Sequence, residues 1–141
     1  MPTMRIVPDS NVIISGFLFG GTPRRLLEHA LVGTIRCFTS LPILDEVRDV
    51  LQRPKFGLSP DQALGLIEEL HDLCGVVRPR RRIRAIVADP ADNAVLECAA
   101  AAGAEMVVSG DAHLLDLGRW RHIRIVSPAA AVKEIEGRPA P

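Results

Sequence analysis

Short apolar runs alternate with longer segments of helical periodicity, and this alternation constrains the fold more than any other feature of the sequence. Apolar runs that predict strands cover residues 4–7, 34–39, 106–109 and 123–126, with shorter extended pieces at 76–77 and 83–87. Several helical segments open with capping residues, such as Ser59 with Gln62 and Asp89 with Pro90. Strands alternating with helices form βαβ units. The sequence therefore predicts an α/β fold, a three-layer sandwich with a central, mostly parallel sheet of four to five strands.

Length and composition indicate one soluble domain without a strong nucleic-acid signature. The chain has 141 residues, of which 48% are apolar, enough for one packed core. We assign residues 1–136 to this domain and residues 137–141 to a loose C-terminal tail. With 17 basic and 17 acidic residues, the chain lacks the charge excess of a strongly basic nucleic-acid-binding domain. It has no Tyr and a single Trp, so base stacking on aromatic side chains is poorly provided for.

The cysteines and the apolar segments indicate the cellular compartment that we expect for this protein. The three cysteines are widely spaced and the histidines are scattered, which predicts small buried thiols in a reducing cytosol rather than a zinc site or disulfides. The first residues lack the pattern of a signal peptide, and no apolar stretch reaches the ~18 residues that span a membrane. We therefore expect a cytoplasmic protein that does not contact membranes.

Two aspartates follow predicted strands. Asp9 comes after the strand at residues 4–7, and Asp111 comes after the strand at residues 106–109. In open α/β sheets, functional sites form beyond the carboxyl ends of the strands. If these two strands are parallel, Asp9 and Asp111 open onto the same edge of the sheet.

Helical periodicity separates the acids of two predicted helices. In the helix over residues 41–52, Asp45 and Asp49 lie roughly 160° from the centre of the apolar stripe, whereas Glu46 lies roughly 100° away, at its border. In the helix over residues 90–102, Asp92 lies within roughly 40° of the apolar centre and Glu97 roughly 180° from it. Glu46 and Asp92 are therefore candidates for the sheet edge, and the other three acids should face water.

The four selected acids, Asp9, Glu46, Asp92 and Asp111, admit two interpretations. In the first they are structural, because an aspartate at a helix start caps the helix and suits its positive end. In the second they converge on a cation, because two carboxylates at ~4–5 Å repel by roughly 3–4 kcal/mol at an effective dielectric of ~20. An all-oxygen ligand set suits Mg²⁺ or Mn²⁺. Such an ion activates water and stabilises a phosphoryl transition state, which implies phosphodiester hydrolysis.

The motifs that carry these acids resemble those of PIN domains. In the order of that family, they are Asp9-Ser10-Asn11, Glu46 on a mid-chain helix, Asp89-Pro90-Ala91-Asp92-Asn93 and Ser109-Gly110-Asp111. The resemblance covers residues 5–135 and is strongest to single-domain bacterial PIN proteins that act as toxins of toxin–antitoxin pairs. It implies a PIN-like fold, an antitoxin as protein partner and a homodimer.

The same resemblance implies a Mg²⁺- or Mn²⁺-dependent endoribonuclease that hydrolyses phosphodiester bonds of single-stranded RNA. The catalytic and metal-binding residues that it implies are Asp9, Glu46, Asp92 and Asp111, and the supporting residues are Ser10, Asn11, Asn93 and Ser109. Many family members carry a further acid two residues after the position of Asp111. This chain has His113 there, which leaves open whether the site takes one metal or two.

A cluster of arginines provides candidate RNA contacts. Five cations occur within residues 78–84, and we select Arg78, Arg80, Arg81 and Arg82, together with His113. The cluster is either a solvated loop or a phosphate clamp, for which the bidentate geometry of Arg is suited. The alternative to the nuclease is a non-catalytic PIN-fold protein that binds RNA or a partner, and an activity assay discriminates the two.

Overall fold

A computed structural model describes residues 3–79 and 89–138. Its strands are β1 (Met4–Pro8), β2 (Ile35–Thr39), β3 (Cys74–Val76), β4 (Met106–Val108), β5 (Arg119–Trp120) and β6 (Ile123–Val126). Its helices are α1 (Ser10–Leu18), α2 (Gly21–Val32), α3 (Leu41–Leu51), α4 (Pro60–Leu73), α5 (Pro90–Ala102), α6 (Ala112–Leu117) and α7 (Pro128–Gly137), with a 3₁₀ turn at Pro54–Phe56. Within these ranges, no helix combines the length and apolar character needed to cross a bilayer.

The described strands form one sheet in the order β3-β2-β1-β4-β6-β5. All pairings are parallel except that of β5 with β6. Helices flank this sheet, so the predicted α/β class with a mostly parallel central sheet is confirmed. The sheet has six described strands rather than four to five, because Arg119 and Trp120 form a short antiparallel edge strand. A two-residue strand is too short to produce a periodic pattern.

Most element boundaries agree with the sequence pattern, and the differences are local. The capping box of Ser59 and Gln62 forms at the start of α4 as predicted. Helix α6 was not predicted, because six residues are too few for a clear periodicity. Helix α7 includes Gly137, one residue beyond the predicted end of the domain. The extended piece predicted at residues 83–87 lies outside the described residues. All three cysteines are free and buried, as expected.

The strand order places a crevice beside β1. From β1 the chain continues outward to β2 and β3, and it then returns to the opposite side of β1 to form β4. The carboxyl ends of β1 and β4 are level, because Pro8 pairs with Val108. The Asp9 amide continues this ladder by donating to the Val108 carbonyl at 2.9 Å. In α/β sheets, this reversal of strand order is where ligands bind.

Helices α1 and α2 pack closely because Gly16 has no side chain. A Cβ atom at this position would lie 2.6 Å from Leu27 Cδ1 and 3.1 Å from the Pro23 carbonyl oxygen. The buried Leu27 therefore occupies the space over Gly16 and holds α2 against the helix that follows Asp9. In contrast, Gly65 in α4 has no atom within 4 Å of such a Cβ.

We expect Gly16→Ala and Gly65→Ala to change stability in opposite directions. Overpacking against Leu27 and Pro23 should lower the free energy of unfolding of Gly16→Ala by about 1–3 kcal/mol. Gly65→Ala should raise it by about 1 kcal/mol, because alanine has the higher helix propensity and meets no clash. Urea unfolding of both variants and the wild type measures the two effects. A stabilised Gly16→Ala would contradict this account of the α1–α2 contact.

Candidate active site

Asp9 is the most buried of the four predicted acids, with 5% of its surface exposed. It is the N-cap of α1, and its Oδ1 accepts a hydrogen bond of 2.9 Å from the Val12 amide. Its Oδ2 accepts a hydrogen bond of 2.5 Å from Ser109 Oγ, which in turn accepts one of 2.9 Å from the Asp111 amide. Ser109 thus joins the residues that follow β1 and β4.

Burial and neighbouring acids act together on Asp9. Burial raises the pKa of the Asp9 carboxyl, and the charges of Asp111 and Glu46 raise it further. The hydrogen bonds from Ser109 and Val12 lower this pKa and offset only part of the effect. Asp9 therefore carries its charge at an energetic cost that its hydrogen bonds do not fully compensate.

Asp92 lies in the first turn of α5, where Asp89 forms the N-cap by accepting a hydrogen bond of 2.9 Å from the Ala91 amide. Asp92 is 9% exposed, and its buried Oδ2 has no hydrogen-bond partner among the described residues. Burial raises the pKa of Asp92 to about 6, together with the charges of Asp111, Asp89 and Asp9. The Asp111 carboxyl raises this pKa in a second way. Two carboxyl groups can share a hydrogen bond only when one of them is protonated, so the proximity of Asp111 favours the protonated form of Asp92.

The last two acids are more open and hydrogen-bonded. Glu46 is half-buried on α3, and its Oε2 accepts a hydrogen bond of 2.6 Å from Ser10 Oγ. Asp111 is the N-cap of α6, and its Oδ2 accepts one of 3.1 Å from the Leu114 amide. The structure therefore brings the predicted acids to one edge of the sheet, by way of β1, α3, α5 and β4.

The remaining predicted residues occupy varied positions. Asp45 and Asp49 face water as expected, whereas Glu97 is half-buried because α5 contacts α3 as well as the sheet. Among the supporting residues, Ser10 and Ser109 hold acids in place, Asn93 is buried, and Asn11 is exposed at the start of α1. Of the candidate RNA contacts, His113 and Arg78 are exposed, whereas Arg80, Arg81 and Arg82 lie outside the described residues.

Two buried polar residues, Thr39 and Ser40, were not predicted as site residues. Thr39 is the last residue of β2, and its Oγ1 is buried without a hydrogen-bond partner in the described part of the chain. Its position at the carboxyl end of a strand beside β1 is the sequence signal that would have identified it. A carboxylate at a strand end indicates a possible site. A threonine there does not, because threonine is common in strands.

The site belongs to an α/β protein with carboxylates collected at the switch point of its sheet. The family model of the PIN domain matches residues 5–113, which is most of the chain and includes all four acids. The chain therefore belongs to the PIN domain family, as its motifs predicted. PIN domains are generally nucleases and generally use divalent metal ions. No curated protein showed significant similarity to the chain.

The described residues at this site match a hard divalent cation in the type of their donor atoms, but not in the arrangement of those atoms. Within the described ranges, no three His, Cys, Asp or Glu side chains lie in an arrangement that would hold a metal ion. Asp9 and Asp111 each use one oxygen to cap a helix. The free Oδ2 of Asp92 and the all-oxygen donor set nevertheless match the ligands that Mg²⁺ and Mn²⁺ prefer.

Asp92 should make the stability of the protein in chelator depend on pH. Its pKa of about 6 lies above the ordinary 3.8, so folding takes up a proton between these values. The contribution of protonated Asp92 to the free energy of unfolding is complete below about pH 4 and is lost as the pH rises through about 6. We expect Asp92→Asn to exceed the wild type in stability at about pH 7.5 and to lose most of this advantage by about pH 4.5.

Urea unfolding at both pH values measures this difference. Asp49→Asn is the matched control, because it removes an exposed carboxylate and makes the same change in net charge. A stability difference between Asp92→Asn and the wild type that is the same at both pH values would show that the Asp92 charge carries no cost.

Proposed function

We propose that this protein is a Mg²⁺- or Mn²⁺-dependent endoribonuclease that cleaves single-stranded RNA, with Asp9, Glu46, Asp92 and Asp111 as its active-site acids. The observation that carries the proposal is the pair of buried aspartates at the switch point of the sheet. Asp9 and Asp92 each have a raised pKa, caused by burial and by the charge of Asp111 and other nearby acids. A cation would offset this repulsion, and few other roles require uncompensated buried acids at this position.

The side chains of this site divide into those that hold the cation and those that hold the acids. A bound divalent ion would supply an activated water and neutralise charge on the phosphoryl group. Asp9 and Asp92 would be its principal ligands. Two hydrogen bonds fix the carboxylate of Asp9, and Oδ2 of Asp92 has no hydrogen-bond partner among the described residues. Ser109 and Ser10 would act as positioning residues for Asp9 and Glu46. One of the acids would accept the proton of the attacking water.

We further propose that the protein is the toxin of a toxin–antitoxin pair and acts in the cytoplasm as a homodimer, with an antitoxin as its partner. Membership of the PIN domain family and the similarity of the motifs to single-domain bacterial toxins support this role. Exposed Arg78 and His113 are candidate RNA contacts at the carboxyl edge of the sheet. We propose Arg80, Arg81 and Arg82 as further contacts from the sequence alone.

Asp9→Asn and Asp92→Asn should each reduce cleavage of single-stranded RNA at least ~100-fold, because each removes a ligand charge from the site. Cleavage should require Mg²⁺ or Mn²⁺ and stop in EDTA. Gel analysis of a labelled RNA measures both effects. Asp49→Asn is the matched control, because it removes an exposed carboxylate of α3 that lies outside the site. This variant should cleave RNA like the wild type.

The same samples separate metal binding from catalysis. Mn²⁺ should raise the thermal midpoint of the wild type more than that of Asp92→Asn, because binding to the folded state stabilises it. Wild-type protein that binds RNA but does not cleave it with either metal would favour the non-catalytic PIN-fold protein. Cleavage by Asp9→Asn in EDTA at the wild-type rate would refute the nuclease site.

Induced expression in bacteria should arrest growth if the protein is a toxin. Asp9→Asn should abolish the arrest, whereas Asp49→Asn should preserve it, and growth curves at matched protein levels measure both. Equal arrest by Asp9→Asn and the wild type would show that toxicity does not come from the proposed active site. Normal growth with abundant wild-type protein would argue against the toxin role.

A further inference from the structure

A concave surface lies between α1, which Asp9 caps, and α3, which carries Glu46. This surface, here called the α1–α3 groove, has a volume of about 510 Å³. One wall is a continuous face of α1 with helical spacing, formed by Asn11, Ile14, Ser15, Leu18 and Phe19. The other wall is formed by Val50 of α3, by Arg53 just before the 3₁₀ turn, and by Lys55 and Phe56 within that turn. The groove thus combines an apolar floor with cations and aromatic rings.

The α1–α3 groove begins at the active-site acids. Asn11 is two residues beyond Asp9, and Val50 is one helical turn beyond Glu46 on α3. The hydrogen bond of 2.6 Å from Ser10 Oγ to Glu46 joins the two helices at this end. From Asn11 to the far end of the α1 wall, the helix rises about 12 Å. At roughly 3.4 Å per stacked nucleotide, this length accommodates about three nucleotides.

The far end of the groove carries an aromatic pair, of which Phe19 is exposed and Phe56 is half-buried. The side chain of Phe19, at the end of α1, is 71% exposed. Its ring centroid lies 6.2 Å from that of Phe56, with the ring planes inclined by 51°. Exposed aromatic rings beside a cationic groove are the platform on which single-stranded bases stack. Composition predicts little provision for base stacking, but it does not show where the few aromatic residues lie, and Phe19 and Phe56 lie together at this groove.

The groove attracts anions at the same end. Arg53 and Lys55 are exposed, and Lys55 Nζ lies 5.0 Å from the centroid of the Phe56 ring. No carboxylate of the described residues forms an ion pair with either cation. The larger groove between α2 and α4, about 650 Å³, is different, because three acids line it (Glu28, Glu69 and Asp72) against one cation, Arg24, among its described lining residues. This excess of acids would repel phosphate.

We infer that the α1–α3 groove holds the single-stranded RNA on one side of the cleaved bond, with a base on Phe19 and Phe56 and phosphates on Arg53 and Lys55. This inference rests on the proposed nuclease function and adds the path of the substrate strand. Base stacking tolerates any sequence, so the groove selects single-stranded over paired RNA rather than one base over another. RNA bound here would extend from the acids along α1.

Binding of a fluorescent single-stranded oligouridine, followed by anisotropy in EDTA, tests the groove without cleavage. Phe19→Ala should weaken binding about ten-fold, because it removes one stacking contact. Lys55→Gln should reduce the slope of log affinity against log salt by about 0.7, as expected for one lost phosphate contact on a single strand. The matched controls are Leu31→Ala, an exposed apolar residue of α2, and Lys133→Gln, an exposed lysine of α7; both should bind like the wild type.

The outcomes distinguish this inference from the proposed function. If the wild type cleaves RNA in Mn²⁺ while Phe19→Ala and Lys55→Gln bind like the controls, the nuclease stands and the groove is not the RNA path. If the wild type binds oligouridine through Phe19 and Lys55 but does not cleave it, the groove stands and the nuclease fails. Wild-type protein that does not bind oligouridine, or that binds duplex RNA equally well, overturns the inference.

Discussion

The hydrogen bond from Ser109 Oγ to Asp9 Oδ2 connects the two sides of the sheet at its switch point. Asp9 follows β1 and caps α1, while Ser109 follows β4 and also accepts a hydrogen bond from the Asp111 amide. The orientations of α1 and of the turn before α6 are therefore tied to one buried pair of polar side chains. Since α1 forms one wall of the α1–α3 groove, the position of that groove also follows from this contact.

The chain has zero net charge, yet it carries two local surfaces of opposite charge. Around Asp9 and Asp92, neighbouring acids lie close enough to raise the pKa of both aspartates, which favours a cation there. Along the α1–α3 groove, Arg53 and Lys55 face no acid partner among the described residues, which favours phosphate. A substrate strand that touches both surfaces would be held by the bound cation as well as by side chains. A neutral composition is therefore compatible with a nucleic-acid enzyme.

Features with a local physical cause were predictable. The capping box at Ser59 and the N-cap at Asp89 formed as the sequence indicated, because a cap depends on residues within one turn. Helical periodicity also separated Asp92 from exposed Asp45 and Asp49, because a helix packed on one side buries one stripe of residues. The same reasoning failed for Glu97 and for the two-residue strand β5, since α5 is covered by more than one neighbour and a short edge strand has no period of its own.

By itself, the sequence determined the alternation of strands and helices, the family and the identity of the four acids, because these follow from local patterns and motif order. Only the tertiary structure decided which groups meet: Ser109 with Asp9, Ser10 with Glu46, and Phe19 with Phe56. These pairs are separated by 100, 36 and 37 residues, so no local propensity encodes them. They arise because packing against the sheet fixes the direction of each helix, and that direction makes α1 one wall of the α1–α3 groove.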